Sequence, residues 1–121
     1  MMSKVLRVTL LRWFGDTQSP ERTACQNWLT ATNPAGYKQA YTLFSNSENP
    51  RRDELKKILC PALFMTGELE PNSTPAMSRA MAKLVPNGRA QIVKGAAHMM
   101  PMTHAAEVNA ALSTFLNEVQ Q

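Results

Sequence analysis

The stretch Cys60-Pro61-Ala62-Leu63-Phe64-Met65-Thr66-Gly67-Glu68-Leu69-Glu70-Pro71 decides the fold. Its apolar run, residues 61–66, is closed by Gly67 and followed at once by carboxylates. That is the form expected of a short strand buried on both faces and ended by a turn. A second run, Ala90-Gln91-Ile92-Val93-Lys94, ends at Gly95 and reads as another strand. Between the two, Thr74-Pro75 starts a helix with Met77, Met81 and Leu84 on one face, and Pro86-Asn87-Gly88 stops it. Thr103 is expected to cap a last helix, along which Val108, Ala111, Leu112, Phe115, Leu116 and Val119 form an apolar stripe. The order is β-α-β-α, and strands joined through a helix of this length should run parallel with a right-handed crossover.

Upstream of about residue 57 the pattern is helical, with no convincing strand. Leu6, Leu10, Trp13 and Phe14 recur at helical spacing. Ser19-Pro20 is a helix start, with Ser as cap and Pro at the first helical position; Cys25, Trp28 and Leu29 then share a face. Asn33-Pro34 starts a third helix carrying Tyr37, Ala40, Tyr41 and Phe44 on one face, which can be core or the cover of a pocket. Ser45 to Pro50 reads as a polar loop, and Asp53 to Ile58 as a short helical turn. The fold class is therefore α/β: a helical segment, residues 1–57, followed by a βαβα unit with two parallel strands, residues 58–121.

Composition limits what such a chain can do. At 121 residues it has room for one domain, and 44% apolar with 18% charged residues is a globular balance. No run approaches the roughly 18 apolar residues of a membrane-spanning helix. Arg7 interrupts the apolar stretch near the start, so no secretory signal is expected, and an amphipathic helix packed on the protein is preferred to a membrane-surface one. The net charge is +4, but the densest basic cluster, residues 51–57, has Asp53 and Glu54 set into it. A nucleic-acid surface would want uninterrupted base with interleaved aromatics, so neither nucleic acid nor membrane is expected as a partner. Cys25 and Cys60 sit in apolar sequence and read as buried reduced thiols, which points to a cytoplasmic protein.

His98 is the most informative residue. It stands just after the second strand, in Lys94-Gly95-Ala96-Ala97-His98-Met99-Met100-Pro101. Open α/β sheets place their sites in loops at the carboxyl ends of parallel strands. Glu68 and Glu70 follow the first strand, so an acid and an imidazole should arrive at the same end of the sheet. An acid there would fix the imidazole tautomer and stabilise the imidazolium. The alternative is a surface histidine in a turn with two ordinary acids nearby. His98 and His104 lie six apart with no cluster of ligands around them, so no metal or cofactor is expected.

Residues 60–71 resemble the penultimate core strand and acid loop of the α/β-hydrolase superfamily. Residues 94–101 resemble its histidine loop, the last helix is similar to the one that closes that fold, and residues 1–57 are similar to the end of its helical cap. The resemblance implies a partial α/β-hydrolase fold with His98 as the catalytic histidine and Glu70 as the catalytic acid, at a position where the family usually has Asp; Glu68 is the fallback. It implies hydrolysis of an ester, lactone or related small-molecule acyl substrate by a nucleophile, a histidine and an acid. Met99 and Met100 would lie beside the imidazole, as packing or as lining of an acyl pocket.

The departure from the family is the nucleophile. Its serine sits on a G-x-S-x-G elbow, and the five glycines here, at 15, 36, 67, 88 and 95, include no two four apart. Ser73 and Ser78 read as parts of a helix start and a helix. The resemblance places the elbow upstream of Met1. Two apolar parallel strands also want partners on their edges, so self-association or docking on a missing amino-terminal half is expected. The alternative to a hydrolase part is a non-enzymatic oligomeric module that keeps the hydrolase shape.

Overall fold

The computed structural model describes residues 4–47 and 51–120. Three helices come first: α1 (Lys4–Phe14), α2 (Pro20–Ala31) and α3 (Pro34–Asn46). The chain leaves α1 through Gly15, whose φ of 67° is left-handed and whose N–H bonds to the Leu11 carbonyl at 2.8 Å. Arg22, from the first turn of α2, reaches back to the same helix end. Its Nη1 donates to the carbonyls of Leu10, at 3.1 Å, and Gly15, at 2.6 Å. Carbonyls at a helix C-terminus lack intrahelical partners and carry partial negative charge, so a cation satisfies both needs.

Two of the expected caps form, at Ser19 and Asn33. The Ser19 hydroxyl accepts from Arg22 N at 3.2 Å, and Asn33 Oδ1 accepts from Ala35 N and Gly36 N at 2.9 and 3.2 Å. The aromatic face of α3 buries nothing: along an exposed surface Tyr37 stacks on Tyr41 at a centroid spacing of 6.2 Å, and Phe44 meets Tyr41 at 6.1 Å with its plane tilted by 52°. Trp28 is likewise exposed, because α2 turns Cys25 and Leu29 toward α1 instead. Helix α3 ends at Asn46, two residues into the expected loop, and residues 48–50 of that loop lie outside the described residues. A short helix, α4 (Arg52–Leu55), leads into the sheet.

Strands β1 (Ala62–Gly67) and β2 (Gly88–Val93) pair in parallel from Ala62↔Gly88 to Gly67↔Val93, joined by α5 (Pro75–Leu84). The pairing draws β2 two residues upstream of its sequence reading. Among the described residues the sheet has these two strands alone. Residues 62–65 are therefore half-buried, where burial on both faces was expected, and only Thr66 and Gly67 at the strand end are buried. On α5 the fully buried residue is Ser78, with Met81 and Leu84 half-buried and Met77 exposed. The small side chain suits a close approach: the backbone of Ala82 on this helix comes so near Gly88 that a Cβ there would clash with it.

After β2 come α6 (Met100–Thr103) and α7 (Ala105–Val119). Thr103 does not cap the last helix. Pro101 in the first turn of α6 favours an extra helical turn, and the Thr103 hydroxyl bonds back to Met99 O at 3.3 Å and to His104 Nδ1 at 2.8 Å. His104 takes the cap position of α7 without a side-chain cap bond.

Two small cores result. Leu10, Phe14 and Cys25 form one, with Met99 and Met102 packed on it; Val93, Ala96 and Val108 form the other, with Met65 and Met100 packed on it. Residues 99–102 thus join the helical segment to the sheet. Cys25 is buried with its Sγ 3.7 Å from Met102 Sδ, and burial pushes its thiol pKa up. Cys60 is exposed, against expectation, because it precedes the strand rather than lying in it. Among the described residues no helix is long and apolar enough to cross a membrane.

Candidate active site

The parallel ladder continues past the strands and ties their two following loops together. Glu68 N donates to Val93 O at 2.9 Å, and Leu69 N donates to Ala96 O at 2.8 Å. Gly67 permits this approach: a Cβ on it would fall 2.6 Å from Ala97 O and closer still to Ala96 O. Glu70 N then turns back to Gly67 O at 3.2 Å, which directs the Glu70 side chain inward.

The two candidate acids have separate tasks. Glu68 Oε2 accepts from Gly95 N at 2.8 Å, holding the turn after β2, where Gly95 has a φ of 69°. Glu70 is buried, its side chain only 4% exposed, and Oε1 accepts from Asn72 N at 2.9 Å and Ser73 N at 3.4 Å. Its other oxygen, Oε2, meets His98 Nδ1 in a short contact. A carboxylate withdrawn from water needs such partners. The Thr66 hydroxyl steadies the loop further by donating to Ser73 O at 2.8 Å.

The structure therefore brings Glu70 and His98 together and assigns Glu68 to the backbone. A carboxylate can only accept, so Nδ1 carries a proton, and in the neutral imidazole that leaves Nε2 with its lone pair. The His98 side chain is 44% exposed, so the free nitrogen belongs to a ring that solvent and ligands can reach. Among the described residues no serine, threonine or cysteine side chain bonds to His98, and no group of three His, Cys, Asp or Glu is placed to hold a metal ion. Met99 and Met100 are packing residues, one in each core.

One contact lay beyond sequence reasoning. Trp13, in the last turn of α1, stacks on the His98 ring with centroids 5.7 Å apart and planes 25° from parallel. Its carbonyl accepts from Met99 N at 3.1 Å. Spacing marked Trp13 only as part of an apolar helix face, and no local signal joins it to a histidine after β2. An open cleft of about 700 Å³ lies between this helix end and the two loops, lined by Trp13, Leu69, Pro71, Ala97 and His104 among others.

Parallel strands with an acid loop and a histidine loop at their carboxyl ends, closed by a terminal helix, define the carboxy-terminal part of the α/β-hydrolase fold, and the chain matches that part. Three known proteins are similar to it. It is 34% identical over 114 residues to the (E)-2-((N-methylformamido)methylene)succinate hydrolase of Acinetobacter baylyi, covering 92% of this chain and 43% of the relative. The solved bromoperoxidase from Bacillus anthracis superimposes with a TM-score of 0.76 at 26% identity, over 93% of this chain and 43% of that one. The enol-lactonase from Burkholderia xenovorans LB400 also gives 0.76, at 22% identity, over 96% and 45%. No protein-family model matches the chain. The chain spans less than half the length of each of these relatives.

Proposed function

We propose that this chain supplies the acid and histidine of a hydrolytic triad that cleaves an ester, lactone or related acyl compound. The observation that carries the reading is the buried Glu70 carboxylate meeting His98 Nδ1. A nucleophile would attack the acyl carbon as His98 Nε2 takes its proton. The imidazolium, stabilised by Glu70, would then return that proton to the leaving group. Two of the similar proteins are by name a hydrolase and an enol-lactonase, which supports an acyl substrate. Helices α1–α4 serve in this reading as the end of a cap, and no cofactor is needed. The compartment we propose is the cytoplasm.

The nucleophile is the missing part, since no G-x-S-x-G occurs in the sequence. Losing the nucleophile of a triad costs about 10⁶ in turnover, so the 121-residue chain alone should be inactive. A segment carrying an elbow would complete the site by pairing with the open edge of the sheet. A second reading, a non-enzymatic module that associates with itself, is favoured by those edges and by the exposed Tyr41 and Phe44 of α3.

The test is a fusion of this chain behind the amino-terminal part of the Acinetobacter relative that it does not match. The folded fusion should hydrolyse p-nitrophenyl acetate, and His98→Ala should lower the rate about 10⁴- to 10⁶-fold. Hydrolysis that survives His98→Ala would overturn the assignment. A fusion that folds without turning over, together with a chain that is dimeric or larger in light scattering, would favour the module.

A further inference from the structure

We infer that Trp13 is a positioning residue for His98, fixing the plane of the imidazole; the inference rests on the acid–histidine reading above. Glu70 holds the ring at one point, Nδ1. With the ring tethered at Cβ and bonded at Nδ1 alone, some tilting about these points is still open to a side chain that is 44% exposed. The indole supplies the second constraint. At 5.7 Å between centroids and 25° between planes it lies against one face of the ring, so tilting the imidazole would break the stack.

The backbone makes this contact dependable. Met99 N donates to Trp13 O at 3.1 Å, so the residue after His98 is tied to the residue whose side chain stacks on it. Trp13 is itself packed on the core of Leu10, Phe14 and Cys25, and Arg22 secures the end of its helix at Leu10 O and Gly15 O. The stack is thus mounted on a fixed helix end rather than on a loop.

The electrostatics point the same way. An aromatic face attracts a cation by about 0.5–2 kcal/mol, depending on how far the pair is desolvated. In the proposed reaction an imidazolium forms when His98 takes the nucleophile's proton, and an indole against its face would help to stabilise it. Glu70 acts on the same species from the ring edge. Two supports, one in the plane and one on the face, would hold the lone pair of Nε2 in one direction.

The experiment is NMR of the 121-residue chain labelled with ¹⁵N and ¹³C histidine, using His98→Ala to assign the signals. In the native chain the His98 ring protons should lie upfield of those of His104 through the indole ring current, and its two nitrogens should be well separated in shift. Trp13→Leu, which keeps apolar volume on the Leu10 core, should abolish the upfield shift and draw the two nitrogen shifts toward each other. Trp13→Phe should restore most of both. Unchanged nitrogen shifts in a folded Trp13→Leu chain would overturn the positioning role, as would a failure of Trp13→Phe to restore them. Failure of the acid–histidine reading is visible separately, as native nitrogen shifts that do not respond to Glu70→Gln while Trp13 is intact.

Discussion

Gly67→Ala should be strongly destabilising. The new methyl would sit 2.6 Å from Ala97 O and 2.7 Å from the carbonyl carbon of Ala96, and nearer still to Ala96 O, where contact becomes ordinary only at 3.4 Å. The histidine loop would have to withdraw by roughly 1 Å, and it is not free to do so. Leu69 N holds Ala96 O at 2.8 Å and Glu68 N holds Val93 O at 2.9 Å. Overpacking of this kind costs about 1–3 kcal/mol, and a backbone hydrogen bond lost with it adds about 1 kcal/mol. The sum, about 2–4 kcal/mol, is a large share of the 5–15 kcal/mol typical of a domain. With a urea slope of about 1–3 kcal/mol/M, the unfolding midpoint should fall by about 0.7–4 M. Gly36→Ala is the control, because nothing lies within 4 Å of a Cβ there and the residue is helical. It should raise stability by up to about 1 kcal/mol. A Gly67→Ala midpoint within about 0.3 M of the native value would refute the close approach of the two loops.

Other substitutions separate residues that look alike in sequence. Glu70→Gln should cost about 2–3 kcal/mol in urea unfolding, since the buried carboxylate serves two backbone donors and an imidazole, whereas Glu68→Gln should cost about 1 kcal/mol or less for its one exposed bond to Gly95 N; equal losses would contradict the division of tasks. Arg22→Met strips two carbonyls of their donor and should lower stability by about 1.5–3 kcal/mol, with Arg22→Lys recovering part, and a Met variant as stable as the native chain would argue against the charged cap. Under native conditions Ellman's reagent should titrate Cys60 alone. Cys25, buried and with its thiol pKa pushed up by that burial, should react only on unfolding, and two fast-reacting thiols would contradict this packing.

What could be read from the sequence is what local chemistry determines. Ser19-Pro20 and Asn33-Pro34 start helices because a side-chain oxygen and a preset φ act within one turn, and both form the bonds expected. Gly67 and Gly95 mark where the strands end. The pairing of an acid with His98 followed from where parallel strands put their loops. The choice of Glu70 over Glu68 came from the family resemblance, because spacing alone cannot show that the turn from Glu70 N to Gly67 O directs that side chain inward. Contacts between distant segments were also out of reach. Nothing near Trp13 announces an imidazole, and nothing near Arg22 announces the end of the preceding helix. Thr103 misled for a physical reason: a threonine ahead of an apolar stripe is a good cap only if no proline starts a turn just before it. The burial expected for β1 and for the aromatic face of α3 was read from apolar sequence; residues 62–65 are only half-buried, and no residue of α3 is buried.

The central claim is that this chain by itself orients His98 through Glu70, and the ¹⁵N shifts of the His98 ring measure that most directly. The account predicts a protonated Nδ1 and an unprotonated Nε2 in the native chain, a state lost in Glu70→Gln and kept in Glu68→Gln. A native His98 protonated on Nε2, or with both nitrogens averaged as in a free imidazole, would contradict it.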